Sequence, residues 1–429
     1  MKKRISGVLA LVLAATLVLS ITGCGSKSSD NQNSNNQSSQ QQSNYHNPDI
    51  EAKDLLYKLD MIDFQGMVEN KDVDPVYTDF AVKLAQNADK KDENLLVSPM
   101  SVMYGLMMPA NGAKGDTLDQ FEKVLGADTY TLNRYLYFTM EGEYPRDSSK
   151  FVIGDSMWIN NSIGYKGSED YLKEMHTFFD ASIFEADFNN VEKDIGLWLS
   201  DKEVSQNTKH IPGESDVMTS INSYMLKAPW NTALAADKTN TKFIASNGSQ
   251  SNAEFLSGNA ERLLKSDKAQ GFAKTFMGDH YAMAVLMPNK GVSVEDYLKS
   301  LSAKSLTSIL SSAQKKNVSI TIPKITQTCD ISVKEPLQAM GVKDAFDSSK
   351  ADFSAMGKSK EDLVLSDVVA DTEMTIDANG VNSSIANASK NKVKKADANI
   401  TVNRPFVYLV YDLEQNIPKF IGTYKKAGA

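Results

Sequence analysis

The sequence is poor in the residues that metal binding and catalysis use most. It has two cysteines in 429 residues, Cys24 and Cys329, and four histidines that lie far apart. Metal sites usually need closer clusters of ligands. The chain also contains no G-x-S-x-G elbow, no P-loop, no G-x-G-x-x-G after a strand and no H-E-x-x-H motif. We therefore expect neither a metal nor a cofactor.

The chain has fewer positive than negative side chains, with 46 Lys and Arg against 54 Asp and Glu. The formal net charge is −8, and removing residues 1–23, with three positive charges and no negative ones, changes it to −11. An acidic protein of this kind is not suited to nucleic acid as its general partner. The one long apolar run, residues 8–19, is shorter than the ~20 residues that a membrane-spanning helix needs.

Residues 1–23 have the layout of a secretory signal peptide, because basic residues 2–4 precede that apolar run. The run leads to Ile21-Thr22-Gly23-Cys24, which resembles a bacterial lipobox. We expect Cys24 to be lipidated and to hold the protein at the outer face of the cell membrane, since two or more acyl chains anchor stably. The alternative is an ordinary signal peptide with an incidental cysteine. If Cys24 is lipidated, only Cys329 remains and no disulfide can form within the chain.

The chain after Cys24 divides into a tether and a single domain. Residues 25–44 carry no apolar side chain, so residues 24–45 are predicted to be a disordered tether with Cys24 at its start. The remainder, residues 46–429, has no Pro/Gly/Ser-rich linker inside it. We expect one globular domain, held together by packing and monomeric.

Helical and strand-like patterns alternate irregularly in this domain. Ser98-Pro99 suits the start of a helix, since serine caps and proline fits the first turn. Apolar alternation or short apolar runs predict strands, and residues 293–310 read as an amphipathic helix pair. The predicted strands are at 151–160, 280–291 and 317–325, with a closing hairpin that turns at 414–416. Helices and strands are mixed without a βαβ repeat, which predicts the α+β class.

Four separated stretches together resemble the serpin family. They occur in the family's order, with its spacing, across nearly all of residues 75–426. Each stretch is a weak signal alone, and the four in register are a strong one. They are "NLLVSPMSVMYGLMMPANGAKGDTLDQFEKVLG" (94–126), "INSYMLKAPW" (221–230), "VSITIPKITQTCDISVKEPLQAMGVKDAFDSSKADFSAM" (318–356) and "TEMTIDANG…NRPFVYLVYD…PKFIGTY" (372–424).

This resemblance implies a metastable fold with three β-sheets and eight or nine α-helices, and an exposed reactive loop at about residues 380–400. A protease attacks the loop and forms an acyl-enzyme. The cleaved loop then inserts as a strand into the large central sheet, which distorts the protease before deacylation. The protein is consumed once, so the resemblance implies an inhibitor and not an enzyme. The residues that match the family's sheet-opening region are Ser98, Ser101, Asn222 and Trp230.

The loop sequence itself is compatible with insertion. Strand residues alternate between faces, and Val381, Ser383 and Ile385 would share the face that is buried. No proline interrupts residues 381–395, where it would remove a ladder hydrogen bond. Gly380 would supply backbone freedom at the hinge. A loop that is merely disordered is the alternative.

The family's usual position for the attacked bond falls at Lys394–Lys395. Lysine before the bond suits a trypsin-like serine protease, whose specificity pocket holds a carboxylate. A cysteine protease is a possible target as well. The lysines at 390, 392, 394 and 395 are open to three interpretations: a solvated loop tip, a patch that steers an acidic protease, or a contact to anionic lipid.

The chain departs from the family's pattern in ways that put inhibitory efficiency in doubt. Ala378 and Asn382 stand where the hinge usually has glutamate, and Ala370 replaces a gating histidine found in many members. A slow hinge leads to cleavage before trapping. The sequence therefore leaves two further alternatives, a non-inhibitory serpin that acts as a binding or scaffold module, and a two-lobed solute-binding lipoprotein.

Overall fold

The computed structural model describes residues 47–62, 71–143, 148–204, 208–239, 241–383 and 395–427; of 141–143 it describes the backbone. Residues 44–429 belong to one compact unit. The predicted signal peptide, tether and lipid attachment at Cys24 lie outside the described residues.

Nine α-helices occur in the described part of the chain. None of them combines the length and the apolarity that crossing a membrane requires. The helices are α1 (Asp74–Ala88), α2 (Pro99–Gly112), α3 (Gly115–Leu125), α4 (Thr129–Glu143), α5 (Glu169–Phe179), α6 (Val191–Asp201), α7 (Val294–Ser300), α8 (Ala303–Ser311) and α9 (Lys334–Met340).

The strands of the described residues form two large sheets and two small two-stranded ones. They are β1 (Lys53–Asp54), β2 (Leu95–Val97), β3 (Lys150–Asn160), β4 (Lys166–Gly167), β5 (Ser182–Ala186), β6 (Met218–Pro229), β7 (Ala235–Ala236), β8 (Phe243–Ile244), β9 (Gln250–Ser251), β10 (Phe255–Lys265), β11 (Ala269–Thr275), β12 (Tyr281–Pro288), β13 (Gln314–Pro323), β14 (Ile325–Ser332), β15 (Gly357–Lys358), β16 (Leu365–Ile376), β17 (Gly380–Val381), β18 (Ala398–Thr401), β19 (Phe406–Asp412) and β20 (Pro418–Tyr424).

The seven-stranded sheet has the order β1-β5-β3-β6-β17-β16-β14. Its two central long strands, β6 and β16, run parallel and pair directly from Met218 to Ser223 on β6. Beyond that point they diverge, and β17 lies between them at the far end. The sheet is therefore closed at one end and split toward the other.

The nine-stranded sheet has the order β18-β13-β10-β11-β12-β19-β20-β2, with β7 paired to β10. Helix α2 lies between the two large sheets, where it contacts β3, β6 and β16 of one and β20 of the other. Its sequence explains this position, because every residue except Asn111 is buried. The Ser98 side chain accepts a hydrogen bond from the Ser101 N–H and so caps the helix, as the sequence predicts.

The architecture confirms the predicted α+β class and the expected helix count. The strands predicted at 151–160, 280–291 and 317–325 are β3, β12 and β13, and the closing hairpin is β19–β20. The predicted helix pair is α7 and α8, which begin at serine caps. One feature was not predicted: the first two residues of the expected loop, Gly380 and Val381, form a strand.

Candidate functional site

The hinge of the expected loop lies inside the seven-stranded sheet. Gly380 and Val381 pair antiparallel with Pro229 and Ala228 of β6, and Val381 also pairs with Ile376 of β16. The Val381 side chain is fully buried. Residues 380–381, at the start of the loop expected at about 380–400, therefore belong to a strand, as do residues 398–400 at its end.

Gly380 has a steric role in addition to the backbone freedom predicted for it. Its φ is not among the positive values of the described residues, so a left-handed turn is not what requires glycine in this structure. A Cβ at this position would instead overlap the carbonyl oxygen of Ala228 on β6. Glycine thus permits the close approach of two strand backbones.

Trp230 holds the segment just before the hinge. Its indole Nε1–H donates to the Asp377 carbonyl at 2.9 Å, and its backbone N–H donates to the Asn379 carbonyl at 2.8 Å. The ring is fully buried and stacks on Phe276, with centroids 4.6 Å apart. Trp230 therefore anchors the entry of the hinge into the sheet.

A buried lysine lies close to the Trp230 ring. The Lys274 ammonium is 5.5 Å from the ring centroid, donates to the Asn259 carbonyl at 2.8 Å and lies 3.8 Å from the Glu261 carboxylate. Its side chain is 0% exposed. Burial lowers the pKa of Lys274 below its ordinary value of 10.5, and Glu261 opposes that shift.

The other predicted sheet-opening residues lie at the start of helix α2 and on β6. Ser98 and Ser101 meet at the start of α2. Asn222 packs against Gly105 of the same helix, where a Cβ would overlap its carboxamide. Trp230 directly follows β6, eight residues after Asn222 and roughly 26 Å away at strand spacing. The structure therefore places Ser98 and Ser101 at the start of α2, Asn222 within β6 and Trp230 at the open end of the split.

Asn222 connects β6 and β16 where the two strands pair directly. Its Nδ2 donates to the Val369 carbonyl on β16 at 3.2 Å and to Ser220 Oγ at 3.1 Å. Ala370 pairs with Asn222 in the sheet and is buried. A methyl group cannot donate or accept hydrogen bonds, so the side-chain hydrogen bond between the two strands at this point comes from Asn222 and not from residue 370.

The far end of the loop is attached to the other large sheet. Strand β18 runs parallel to β13, and Asp397 and Asn317 exchange two hydrogen bonds at 2.8 and 2.9 Å. The Lys395 side chain is exposed, and its backbone carbonyl accepts from Asn317 Nδ2 at 3.3 Å. Lys394 and Ile385 lie outside the described residues, and Ser383 is the last one before the gap.

One residue of the site has a role that sequence reasoning missed. Asn382 has φ +45° and turns the chain out of the sheet directly after Val381. Its carboxamide hydrogen-bonds to both β6 and β16. The available signal was its residue type, because asparagine is one of the few side chains that tolerate the left-handed region.

These features define a sheet that is split between β6 and β16, with the short strand β17 in the split. Comparison with known proteins agrees. Residues 75–426 match the family model described as "Serpin (serine protease inhibitor)". The chain belongs to the serpin family. This membership excludes the two-lobed solute-binding fold.

The relatives match over most of their length. An uncharacterized serpin-like protein of Thermococcus kodakarensis is 24% identical over 379 residues, which is 82% of this chain and 85% of that protein. Intracellular coagulation inhibitor 2 of Tachypleus tridentatus is 23% identical over 368 residues, 81% of this chain and 89% of that protein.

A solved structure is similar over nearly its entire chain. Tengpin, a thermophilic serpin, is 28% identical in its native-state crystal structure, with a TM-score of 0.80 over 87% of this chain and 99% of tengpin. Its latent-state structure gives a lower TM-score of 0.72. The arrangement of this chain is thus more similar to the native state of tengpin.

Proposed function

We propose that this serpin is a single-use inhibitor of trypsin-like serine proteases, attached to the outer face of a bacterial membrane through lipidated Cys24. The observation that carries the inhibitory part is the hinge. Gly380 and Val381 already occupy the first two positions of a strand between β6 and β16. The remainder of the loop would continue in the same antiparallel register.

The chemistry follows from the position of the bond before Lys395. The protease serine oxygen attacks the Lys394 carbonyl carbon, the bond to the Lys395 nitrogen breaks, and that amine leaves with a proton. The product is an ester between the protease and Lys394. If the loop inserts before water hydrolyses this ester, the protease remains covalently attached.

The attachment of the two loop ends favours insertion after cleavage. The hinge belongs to the seven-stranded sheet, whereas the chain from Lys395 onward is bonded to Asn317 and β13 of the nine-stranded sheet. Cutting the bond frees the two ends from each other. The new amino terminus at Lys395 stays on its own sheet, while the acylated end is free to move with the hinge.

Specificity for a trypsin-like protease rests on Lys394 as the residue before the attacked bond. A buried carboxylate in the protease pocket would pair with its ammonium group. The exposed Lys395 adds a second positive charge beside the bond. Membrane attachment rests on the signal-like residues 1–23 and the lipobox-like residues that end at Cys24.

The test is incubation of the purified chain with trypsin at several molar ratios, followed by denaturing gels and mass spectrometry. We expect an SDS-stable complex and a released peptide that begins at Lys395. Lys394→Ala should abolish the complex with trypsin, while Lys390→Ala, another loop lysine, should not. Cleaved protein without any complex would overturn inhibition of this protease class.

The lipid anchor is tested separately by expression in a bacterial host with a labelled fatty acid. The wild-type chain should carry the label and sediment with membranes. Cys24→Ser should lose the label, and Cys329→Ser should keep it. If the wild type and Cys329→Ser both lack the label, the anchor is contradicted, and the inhibitory mechanism is not affected.

A second candidate function is a non-inhibitory serpin that serves as a binding or scaffold module. The observation that favours it is Asn382, whose side chain is hydrogen-bonded on both sides of the split sheet. Such bonds oppose further insertion. This candidate predicts cleavage by trypsin with no gain of thermal stability.

A further inference from the structure

The Asn382 carboxamide spans the opening between β6 and β16. Its Nδ2 donates to the Leu226 carbonyl on β6 at 3.0 Å and to the Glu373 carbonyl on β16 at 3.2 Å. Its Oδ1 accepts from the Thr375 N–H at 2.8 Å. The two amide protons and the oxygen are therefore all engaged with strands that must separate or accept a new neighbour.

The hydrogen bonds around β17 establish which backbone groups an inserting strand would use. On the β16 side, Asp377 donates to Gly380 and Asn382 donates to Thr375. On the β6 side, Trp230 donates to Asn379, and Val381 pairs with Ala228. In an antiparallel ladder alternate residues bond to alternate neighbours. The backbone N–H and C=O groups of even-numbered residues from 380 thus point toward β16, and those of odd-numbered residues point toward β6.

Continuing this register identifies the partners of the next two residues. The N–H of residue 383 would meet the Leu226 carbonyl, and the N–H of residue 384 would meet the Glu373 carbonyl. These are the two carbonyls that the Asn382 carboxamide occupies. Its Oδ1 also takes the Thr375 N–H, which the backbone carbonyl of an extended residue 382 would accept. The side chain thus substitutes for the backbone of the next strand segment.

The Asn382 backbone reinforces the same arrangement. At φ +45° the chain leaves the sheet, whereas an inserted strand needs an extended residue at this position. Insertion therefore requires residue 382 to leave the left-handed region and its side chain to release three hydrogen bonds. Both changes must precede or accompany the entry of residue 383.

We propose that Asn382 is a positioning residue that arrests loop insertion after Val381, with its carboxamide as a latch between β6 and β16, and that release of this latch limits the rate of insertion after cleavage. The proposal rests on the loop insertion of the proposed function. It also accounts for asparagine at a position where the family usually has glutamate, because a carboxylate could not donate to Leu226 and Glu373.

The test compares Asn382→Ala and Asn382→Gly with the wild-type full chain. Glycine keeps the left-handed backbone but lacks the carboxamide. Asn379→Ala is the matched control, because Asn379 contributes its backbone carbonyl to Trp230 in the same hinge. Each protein is mixed with trypsin at a 1:1 molar ratio, and the rate at which the loop-cleaved protein acquires resistance to heat is followed. The number of molecules consumed per trypsin inactivated is measured in parallel.

We expect both Asn382 variants to acquire heat resistance about tenfold faster than wild type, which corresponds to ~1.4 kcal/mol. They should also require fewer molecules per trypsin, and Asn379→Ala should resemble wild type. If the wild-type chain gains no heat resistance and the Asn382 variants do, the latch is supported and inhibition by the wild type is overturned.

Equal rates in wild type and both Asn382 variants would overturn the latch and leave the proposed function intact. An equal acceleration in Asn379→Ala would also overturn it, since the effect would then belong to the hinge in general. If no variant and no wild-type protein gains heat resistance, both the latch and the proposed function are wrong.

Discussion

The Trp230 indole N–H donates a 2.9 Å hydrogen bond to the Asp377 carbonyl, four residues before Val381. This bond links the end of β6 to the end of β16 beside the inserted hinge. Trp230 therefore determines where the loop enters the sheet, although it lies far from the bond that a protease would cut.

We predict that Trp230→Phe lowers the free energy of unfolding by about 1–2 kcal/mol, since an aromatic ring remains but the Asp377 carbonyl loses its donor. Hydrogen exchange in residues 377–383 should accelerate. Trp198→Phe is the control, because Trp198 on α6 makes the same kind of bond at another place. Its Nε1–H donates to Ser182 Oγ of β5 at 3.0 Å. It should show a similar loss of stability with unchanged exchange at the hinge, and accelerated exchange there in both variants would contradict this role of Trp230.

Gly380→Ala should displace the hinge from the sheet, because its Cβ would overlap the Ala228 carbonyl oxygen. Exposing the buried Val381 side chain costs about 1.5–3 kcal/mol, so thermal unfolding should begin at lower temperature. The yield of SDS-stable complex with trypsin should also fall. Gly196→Ala, where a Cβ meets open space on α6, should be neutral or slightly stabilising. An unchanged complex yield for Gly380→Ala would show that this contact does not govern the hinge.

Asn222→Ala removes a hydrogen bond that joins β6 to β16, and it leaves the buried Val369 carbonyl without that donor. We expect a loss of about 1–3 kcal/mol in the free energy of unfolding and faster insertion after loop cleavage. Asn111→Ala is a suitable comparison, because it breaks a reciprocal amide pair with Asn133 away from the split. That variant should lose stability without faster insertion, and identical insertion rates in the two variants would count against a seam-specific role for Asn222.

We predict that the buried Lys274 makes the free energy of unfolding depend on pH. The sign follows from the direction in which burial shifts its pKa. The lowered pKa of Lys274 means that, between that pKa and 10.5, the unfolded chain binds a proton that the folded chain has released. The free energy of unfolding then rises with pH, by up to about 1.4 kcal/mol per pH unit for one proton. Below this window both states hold the proton, and the gain is lost.

The measurement is chemical unfolding of wild type and Lys274→Met across this pH range. Subtracting the variant removes the contribution of the tyrosines, which titrate in the same region. The difference, wild type minus Lys274→Met, should become more favourable to the wild type as the pH approaches 10.5. A difference that stays constant would show that Lys274 is not buried as a titrating ammonium.

Much of the architecture could be predicted from local sequence signals. Ser98 and Pro99 start α2 because capping and a fixed proline φ act within one helical turn. Alternating and continuous apolar residues predict β3, β12 and β13, since a strand buries residues according to a period of two. The family's motifs, in order, also predicted a hinge at Gly380, and that role stays a prediction.

The depth of the hinge in the sheet could not be predicted in the same way. It depends on the Ala228 carbonyl beside Gly380 and on Trp230 beneath Asp377. Both partners come from a strand about 150 residues earlier in the chain. No local sequence pattern indicates such a contact. The loop was therefore expected to begin at about residue 380, whereas strand β17 extends to Val381.

The sequence by itself determined the class of fold and the start of α2, because these properties arise from each residue and its near neighbours. The hinge role of Gly380 and the insertion of the proline-free loop stay predictions. Only the tertiary structure decided that Gly380 serves a close approach, that Trp230 is separated from Asn222, and that Asn382 bonds both edges of the split. Those outcomes depend on carbonyl and amide groups that distant strands bring together, and hydrogen bonds of that kind exist only after the sheet has formed.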